Sequence, residues 1–264
     1  MAEPQKTLFA ELRRQEIVAI IQKAGKVTVE DLSNQFSVSP ATIRNDLTEL
    51  EQRGLLRRTH GGAISRNFAG YELTNQEKAV RNVEQKKAIA AKAMEHIRPG
   101  NVIALDSGTT TFELAKLLGN IPNLTIITND LKIATLLEQN ENSTVILLGG
   151  MLRPKFHCTI GSSVLNALDT LYIDTAFLGT NGLSLRRGLS TPRIETADIK
   201  RKMISIAGNV IVLTDSSKVN NEAFASFASL SDINTLITDD AMDAGFVADM
   251  KALGVDVQLV TKTE

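Results

Sequence analysis

The stretch Val38-Ser39-Pro40-Ala41-Thr42-Ile43-Arg44-Asn45-Asp46-Leu47 decides how the rest of the chain is read. Ser39 suits a helix N-cap, where its hydroxyl accepts an orphan backbone N–H, and Pro40 suits the first helical position, where its missing N–H costs nothing. In the helix so begun, Ile43, Leu47 and Leu50 recur at i, i+4 and i+7 and are expected to pack inward. Pro40, Ala41, Thr42, Arg44 and Asn45 then face outward near the N-terminal end, which a recognition helix presents to base edges. Short side chains let such a helix sink into the major groove. Arg44 can donate a bidentate pair to guanine or bind phosphate, Asn45 can pair with adenine, and Thr42 can touch a thymine methyl or a phosphate.

The flanks agree. Leu12, Ile17, Ile20 and Ile21 recur at helical spacing over Thr7 to Ala24, with Gly25 as the stop. Thr28 with Asp31 resembles a capping box, and Val29, Leu32 and Phe36 supply one apolar stripe on a short second helix before the turn at Ser37 and Val38. After Gly54, residues 55–64 read as two short strands around a glycine turn, a wing whose Arg57, Arg58 and His60 are expected to lie on the exposed face against phosphates. With Ser39 at the cap, these complete the candidate DNA-binding set. Residues 1–66 hold ten Lys or Arg against eight Asp or Glu, so net charge adds little to this reading.

With 264 residues and a formal charge of −1, the chain has room for one small and one medium domain. A single cysteine, Cys158, excludes an intramolecular disulfide framework and fits a reducing compartment. The start, Met1-Ala2-Glu3-Pro4-Gln5-Lys6, has no apolar signal core, and no apolar run reaches membrane-spanning length, so a cytoplasmic location is expected. His60, His96 and His157 have no second ligand at metal spacing, and neither a metal nor a cofactor is expected.

Residues 67–82 are polar and poorly periodic and read as a linker between a domain over 1–66 and one over 83–264. Glu84 to Ile97 reads as a helix. Apolar runs then alternate with helical stretches at 102–105, 124–127, 145–148, 175–178, 210–213, 236–238 and 255–260, the pattern of a mainly parallel sheet covered by helices. Asp106-Ser107-Gly108-Thr109-Thr110-Thr111 follows the first of these strands and opens a helix. Hydroxyls and backbone N–H groups at the positive end of a helix dipole hold a phosphate without a lysine. Thr128-Asn129-Asp130, Gly149-Gly150, Gly179-Thr180-Asn181-Gly182 and Asp215-Ser216-Ser217-Lys218 also follow strands, where ligands of open α/β sheets collect. Gly149-Gly150 reads best as a plain turn, and a solvated face explains Glu195, Asp198 and Lys200 at least as well as a site does.

These motifs together resemble the DeoR family of bacterial sugar-metabolism repressors over essentially the whole chain. The resemblance rests on Ser39 to Leu47, on Arg58-Thr59-His60-Gly61-Gly62-Ala63, on Asp106 to Thr111, Thr128-Asn129, Leu147-Leu148-Gly149-Gly150, Gly179 to Gly182 and Asp215 to Lys218. It implies an α/β protein with an N-terminal winged helix-turn-helix and a C-terminal domain similar to ribose-5-phosphate isomerase. The implied partners are double-stranded operator DNA, a phosphorylated sugar effector that relieves repression, and further copies of the chain as a dimer or tetramer. The implied effector residues are Asp106, Ser107, Gly108, Thr109, Thr110, Thr111, Asn129, Gly179, Thr180, Asn181, Glu195, Asp215 and Lys218. Asn45 departs from the family, which commonly has a second arginine there; operator sequence is what that departure touches. The alternative is an active sugar-phosphate isomerase with Glu195 or Asp215 as base and Lys218 as its electrostatic partner, but an isomerase gains nothing from a capped reader helix and a wing.

Overall fold

A computed structural model describes residues 3–65 and 72–261, the side chains of 3–8, 22 and 23 aside. The chain divides into two compact units, 1–73 and 74–264.

The first unit runs α1 (Glu3–Ala24), β1 (Lys26–Thr28), α2 (Val29–Phe36), α3 (Pro40–Gln52), β2 (Leu56–Thr59) and β3 (Gly62–Ser65). Gly25, at φ 78°, ends α1 in the left-handed conformation that glycine tolerates. Thr28 Oγ1 accepts the Asp31 N–H at 3.0 Å to start α2, and Ser37, also left-handed, ends it. Ser39 accepts the Thr42 N–H at 3.2 Å with Pro40 at the first position of α3, the cap read from the sequence. Ile17, Ile21, Leu32, Ile43, Leu47, Leu50 and Leu56 form the core. Leu12 does not join it; it is 54% exposed, because the core-facing stripe of α1 settles on Ile17 and Ile21. The hairpin gains an unforeseen third strand, giving the order β1-β3-β2. Gly62 permits it: a Cβ there would lie 1.9 Å from the Val27 carbonyl oxygen.

The second unit begins with α4 (Asn75–Ala79) and α5 (Val83–Ala93). Then come β4 (Val102–Leu105), α6 (Thr109–Ala115), β5 (Leu124–Thr128), α7 (Leu131–Leu137), β6 (Ser143–Leu147), β7 (Met151–Arg153), β8 (Cys158–Ile160), α8 (Ser162–Leu168) and β9 (Ile173–Leu178). The chain closes with β10 (Gly182–Ser184), β11 (Gly188–Thr191), α9 (Ile194–Ser205), β12 (Ala207–Leu213), β13 (Ala225–Ala228), β14 (Thr235–Asp239), α10 (Ala244–Ala252) and β15 (Asp256–Val260). The main sheet has seven strands in the order β15-β14-β12-β9-β4-β5-β6, parallel at every junction. All seven were anticipated from their apolar runs. The antiparallel sheet β10-β11-β13 and the hairpin β7-β8 were not; their three or four residues are too short to show alternation.

Both faces of the main sheet are buried, as an all-parallel sheet requires. Ile103, Leu105, Phe177, Ile211 and Leu213 face α5, α6 and α7. Ala104, Ala176, Leu178, Val210 and Val212 face α8, α9, α10 and the small sheet.

The expected linker 67–82 is corrected in its second part. Thr74 and Glu77 make a full capping box at the start of α4, and buried Asn75 donates to the Phe156 carbonyl at 2.6 Å. The segment from Thr74 therefore belongs to the second unit. Residues 67–71 lie outside the described residues.

Candidate functional site

On α3, Pro40, Ala41, Arg44 and Asn45 are exposed, Ser39 is exposed at the cap and Thr42 is half-buried beside it. Asp46 was not anticipated as structural. It is 2% exposed and accepts from Arg13 Nε at 2.6 Å and Arg14 Nε at 2.9 Å, clamping α1 to α3. Arg14 also reaches Glu49 at 2.6 Å, and Arg53 pairs with Glu11 and Glu49. The exposed face of α3 is thus backed by a charge network that ties α3 to α1.

The wing differs from expectation at Arg58. His60 is exposed, but Arg57 and Arg58 are half-buried. Arg58 donates from its guanidinium to Thr48 Oγ1 at 2.8 Å and from its backbone N–H to Glu51 at 2.8 Å. Thr48 in turn donates to the Arg44 carbonyl at 2.8 Å. Arg58 is therefore a brace between wing and reader helix rather than an arm on open surface.

In the second unit the chain leaves β4 toward β5 and β6 on one side, then returns to build β9, β12, β14 and β15 on the other. The direction of winding reverses between β4 and β9, and the crevice beyond the carboxyl ends of those strands is where open α/β sheets bind ligands. Asp106 follows β4 and Gly179 follows β9. The Gly179 N–H donates to Asp106 Oδ2 at 3.1 Å, and the Lys200 ammonium on α9 is bonded to the same oxygen and to the Gly179 carbonyl at 2.9 Å. Asp106 and Lys200 are 1% and 3% exposed, and Lys200 also lies 5.2 Å from the Phe227 ring centroid. The burial of Lys200 corrects the solvated-face reading of this helix start. Its signal was present, since Ala197, Lys200 and Met203 share one face of α9 at helical spacing and all three are buried.

Around this pair the expected residues divide. The Ser107 hydroxyl donates to Asp130 Oδ2 at 2.7 Å. Thr111 is fully buried and donates to the Asp106 carbonyl at 2.6 Å. Those two hydroxyl protons are engaged inside the protein, which corrects the expectation that they await a ligand. Gly108 stands at the N-cap of α6 and offers no side chain to the first-turn N–H groups. Asn129, 3% exposed, donates to the Thr159 carbonyl at 2.9 Å. Thr180 donates to the Gly182 carbonyl at 2.7 Å and Asn181 accepts from Thr191 at 3.0 Å; both shape the base of the small sheet. Glu195 lies apart from this cluster in its bonding. It is half-exposed in the first turn of α9 and pairs with Arg193, and its own backbone N–H, with Arg193 and Arg153, lowers its carboxyl against the opposing effect of burial.

Asp215 follows β12 and is 2% exposed. Its Oδ1 accepts from Asn82 Nδ2 at 2.8 Å, from the Ser217 N–H at 3.1 Å and from the Ser217 hydroxyl. Burial pushes its carboxyl up, but Lys218, Ser217, Lys86 and Asn82 together outweigh that and leave it lowered. Lys218 Nζ stands 3.9 Å from Oδ2. Lys86 on α5, missed from the sequence, is 5% exposed, and burial lowers its ammonium to about 8 although Asp215 favours the charge. Asp130 is raised by burial despite its bonds from Ser107, Ile133 and Lys132, and burial likewise raises the Cys158 thiol. Among the described residues no three His, Cys, Asp or Glu side chains gather in a metal-binding group, and no helix is long and apolar enough to cross a membrane.

A winged helix-turn-helix joined to an α/β unit with a polar crevice at its switch point defines a ligand-responsive DNA-binding regulator. Residues 13–68 match the DeoR-like helix-turn-helix domain and residues 81–240 match the DeoR C terminal sensor domain. The chain is 38% identical over 245 residues to the HTH-type transcriptional regulator GlpR of Haloferax volcanii, covering 93% of this chain and 96% of that protein. It is 37% identical over 232 residues to the lactose phosphotransferase system repressor of Streptococcus mutans, covering 87% and 92%. A solved D-ribose-5-phosphate isomerase in complex with phospho-erythronic acid aligns at 23% identity and a TM-score of 0.38, over 51% of this chain and 52% of that one. The chain belongs to the DeoR family of transcriptional regulators.

Proposed function

We propose that this protein represses a carbohydrate catabolic operon and releases its operator when a phosphorylated sugar enters the crevice between β4 and β9. The observation that carries the reading is the reversal of winding at β4 and β9, with the Asp106–Lys200 pair beneath it and the polar strand ends of β5 and β12 beside it. The start of α6, with Thr109 and Thr110, offers donors for the phosphate. Asn129, Asp215 and Lys218 offer acceptors and a cation for the hydroxyl end. The name of the Streptococcus mutans relative, a lactose phosphotransferase system repressor, supports the same assignment.

The crevice senses rather than converts. The match to a sensor domain supports that reading; Glu195 pairs with Arg193, and Asp215, whose Oδ2 is the carboxylate oxygen a general base would need open, is the residue whose removal tests for turnover. The switch is a population shift: the sugar phosphate lowers operator affinity only by as much as it prefers the released conformation. Two or four copies act together, because one short helix reads only a half-site.

The test is release of labelled operator by ribose 5-phosphate, fructose 1-phosphate and fructose 6-phosphate, each beside its unphosphorylated sugar. Release by phosphates alone is the expected result; equal release by the free sugars refutes the phosphate assignment. Isomerised product at enzyme-like rates, lost in Asp215→Ala, refutes sensing without turnover.

A further inference from the structure

Resting on the effector reading above, we propose that Asn82 is a positioning residue of the sugar site and determines which sugars the crevice accepts. It fixes which oxygen of Asp215 is offered to the ligand. Asp215 is a buried carboxylate with an uneven distribution of partners. Three donors crowd Oδ1, one of them Asn82 Nδ2 at 2.8 Å. Oδ2 faces the Lys218 ammonium at 3.9 Å, beyond direct hydrogen-bond length. A carboxylate has about four acceptor positions, so Oδ2 retains room for the hydroxyl donors of a polyol. Without Asn82 the carboxylate would be held by Ser217 alone on that side and could rotate about its last torsion.

Asn82 is itself held in place. Its backbone is left-handed at φ 51°, and the turn that carries it is gathered by the buried Lys86 ammonium, which donates to the carbonyls of Lys78 and of Arg81, the latter at 2.6 Å. Earlier in the same segment, the Asn75 side chain bonds the Phe156 carbonyl, and the Lys78 ammonium lies 5.6 Å from the centroid of the Phe156 ring. Residues 74–82 are thus strapped onto the second unit at two points, and the far one ends on Asp215. The segment starts where the first unit ends, at Leu73. A ligand that draws on Asp215 therefore acts on the segment that opens the second unit.

Asn82→Gly removes the amide while keeping a backbone that tolerates φ 51°. The full chain, wild type and variant, is titrated on labelled operator with ribose 5-phosphate, fructose 1-phosphate and fructose 6-phosphate, and melting curves verify that both fold. The variant is expected to hold the operator as tightly as wild type without sugar. It should require about tenfold more sugar phosphate for release, the loss typical of one hydrogen bond to a charged group, and the three sugars should differ less in potency. Loss of all response with an unaltered melting curve also supports the proposal. Wild-type potency and wild-type ranking in Asn82→Gly overturn it. A wild type that answers none of the three sugars overturns the effector reading itself, and this proposal with it.

Discussion

Lys200→Met tests whether the Asp106–Lys200 pair is the foundation of the crevice. The two side chains are 2% and 3% exposed, so water screens neither charge. Replacing the lysine leaves the Asp106 carboxylate buried with the Gly179 N–H as its remaining partner and leaves the Gly179 carbonyl without the ammonium that satisfied it. Breaking a buried pair from one side costs about 3–5 kcal/mol, since an uncompensated charge stays behind. At roughly 2–4 °C per kcal/mol for a domain of this size, the second unit should melt about 6–20 °C lower. Asp106→Asn combined with Lys200→Met removes both charges and should recover most of that loss, a coupling of at least about 2 kcal/mol in a double-mutant cycle. Arg201→Met is the control, because its partner Asp198 is 37% exposed and Arg201 itself 49%; a surface pair of that kind is worth about 0–1 kcal/mol. Urea and thermal unfolding of the full chain, fitted with one transition per unit, read all three. A Lys200→Met protein within about 1 kcal/mol of wild type, or no more affected than Arg201→Met, refutes the reasoning.

The fold was legible because it is written in periodicity. The seven apolar runs became the seven strands of the main sheet, and the cap of Ser39 and Pro40 opened α3 where the sequence placed it. What escaped shares one physical cause. Asp46 lies on the inward stripe with Ile43, Leu47 and Leu50, Lys86 with Ile89, Ala90 and Ala93, and Lys200 with Ala197 and Met203. A charge on an apolar stripe reads from one sequence as an imperfect amphipathic helix, and its meaning depends on a partner distant in the chain. Lys200 meets Asp106 across 94 positions and Asp46 meets Arg13 across 33. The segment 74–82 reads as a linker for a related reason. Its ties, Asn75 to Phe156 and Asn82 to Asp215, span 81 and 133 positions, so its local polarity looked like that of a linker. Donor capacity was also overread at Ser107 and Thr111, because composition counts hydroxyls but not the carbonyls and carboxylates that engage them.

Arg44→Ala should weaken specific operator binding by about 1–3 kcal/mol and relax selectivity at one base position, measured against a panel of single-base operator variants; uniform affinity loss across the panel would refute base readout. Arg58→Ala should lower the stability of the first unit by roughly 0.5–1.5 kcal/mol through the lost bond to Thr48. Its operator affinity should fall with little change in salt dependence, whereas a slope shallower by about 0.9 would identify a phosphate contact instead. Lys86 has a folded pKa of about 8, below its ordinary 10.5. Between those values the unfolded chain binds more protons, so wild-type stability relative to Lys86→Met should rise from pH 8 to about 10.5, and a flat difference across that window would contradict the burial assigned to the ammonium. Thr109→Asp sets a fixed negative charge in the first turn of α6, where the phosphate is proposed to sit. An acid near a helix N-terminus is itself favourable, so the second unit should melt no lower than wild type and any loss of response belongs to the ligand rather than to folding. Two like charges cannot share the same few backbone donors, and the variant should therefore stay on its operator at sugar phosphate concentrations that release wild type fully. Normal release by Thr109→Asp would move the phosphate away from α6 and leave the strand ends at Asn129 and Asp215 to account for it.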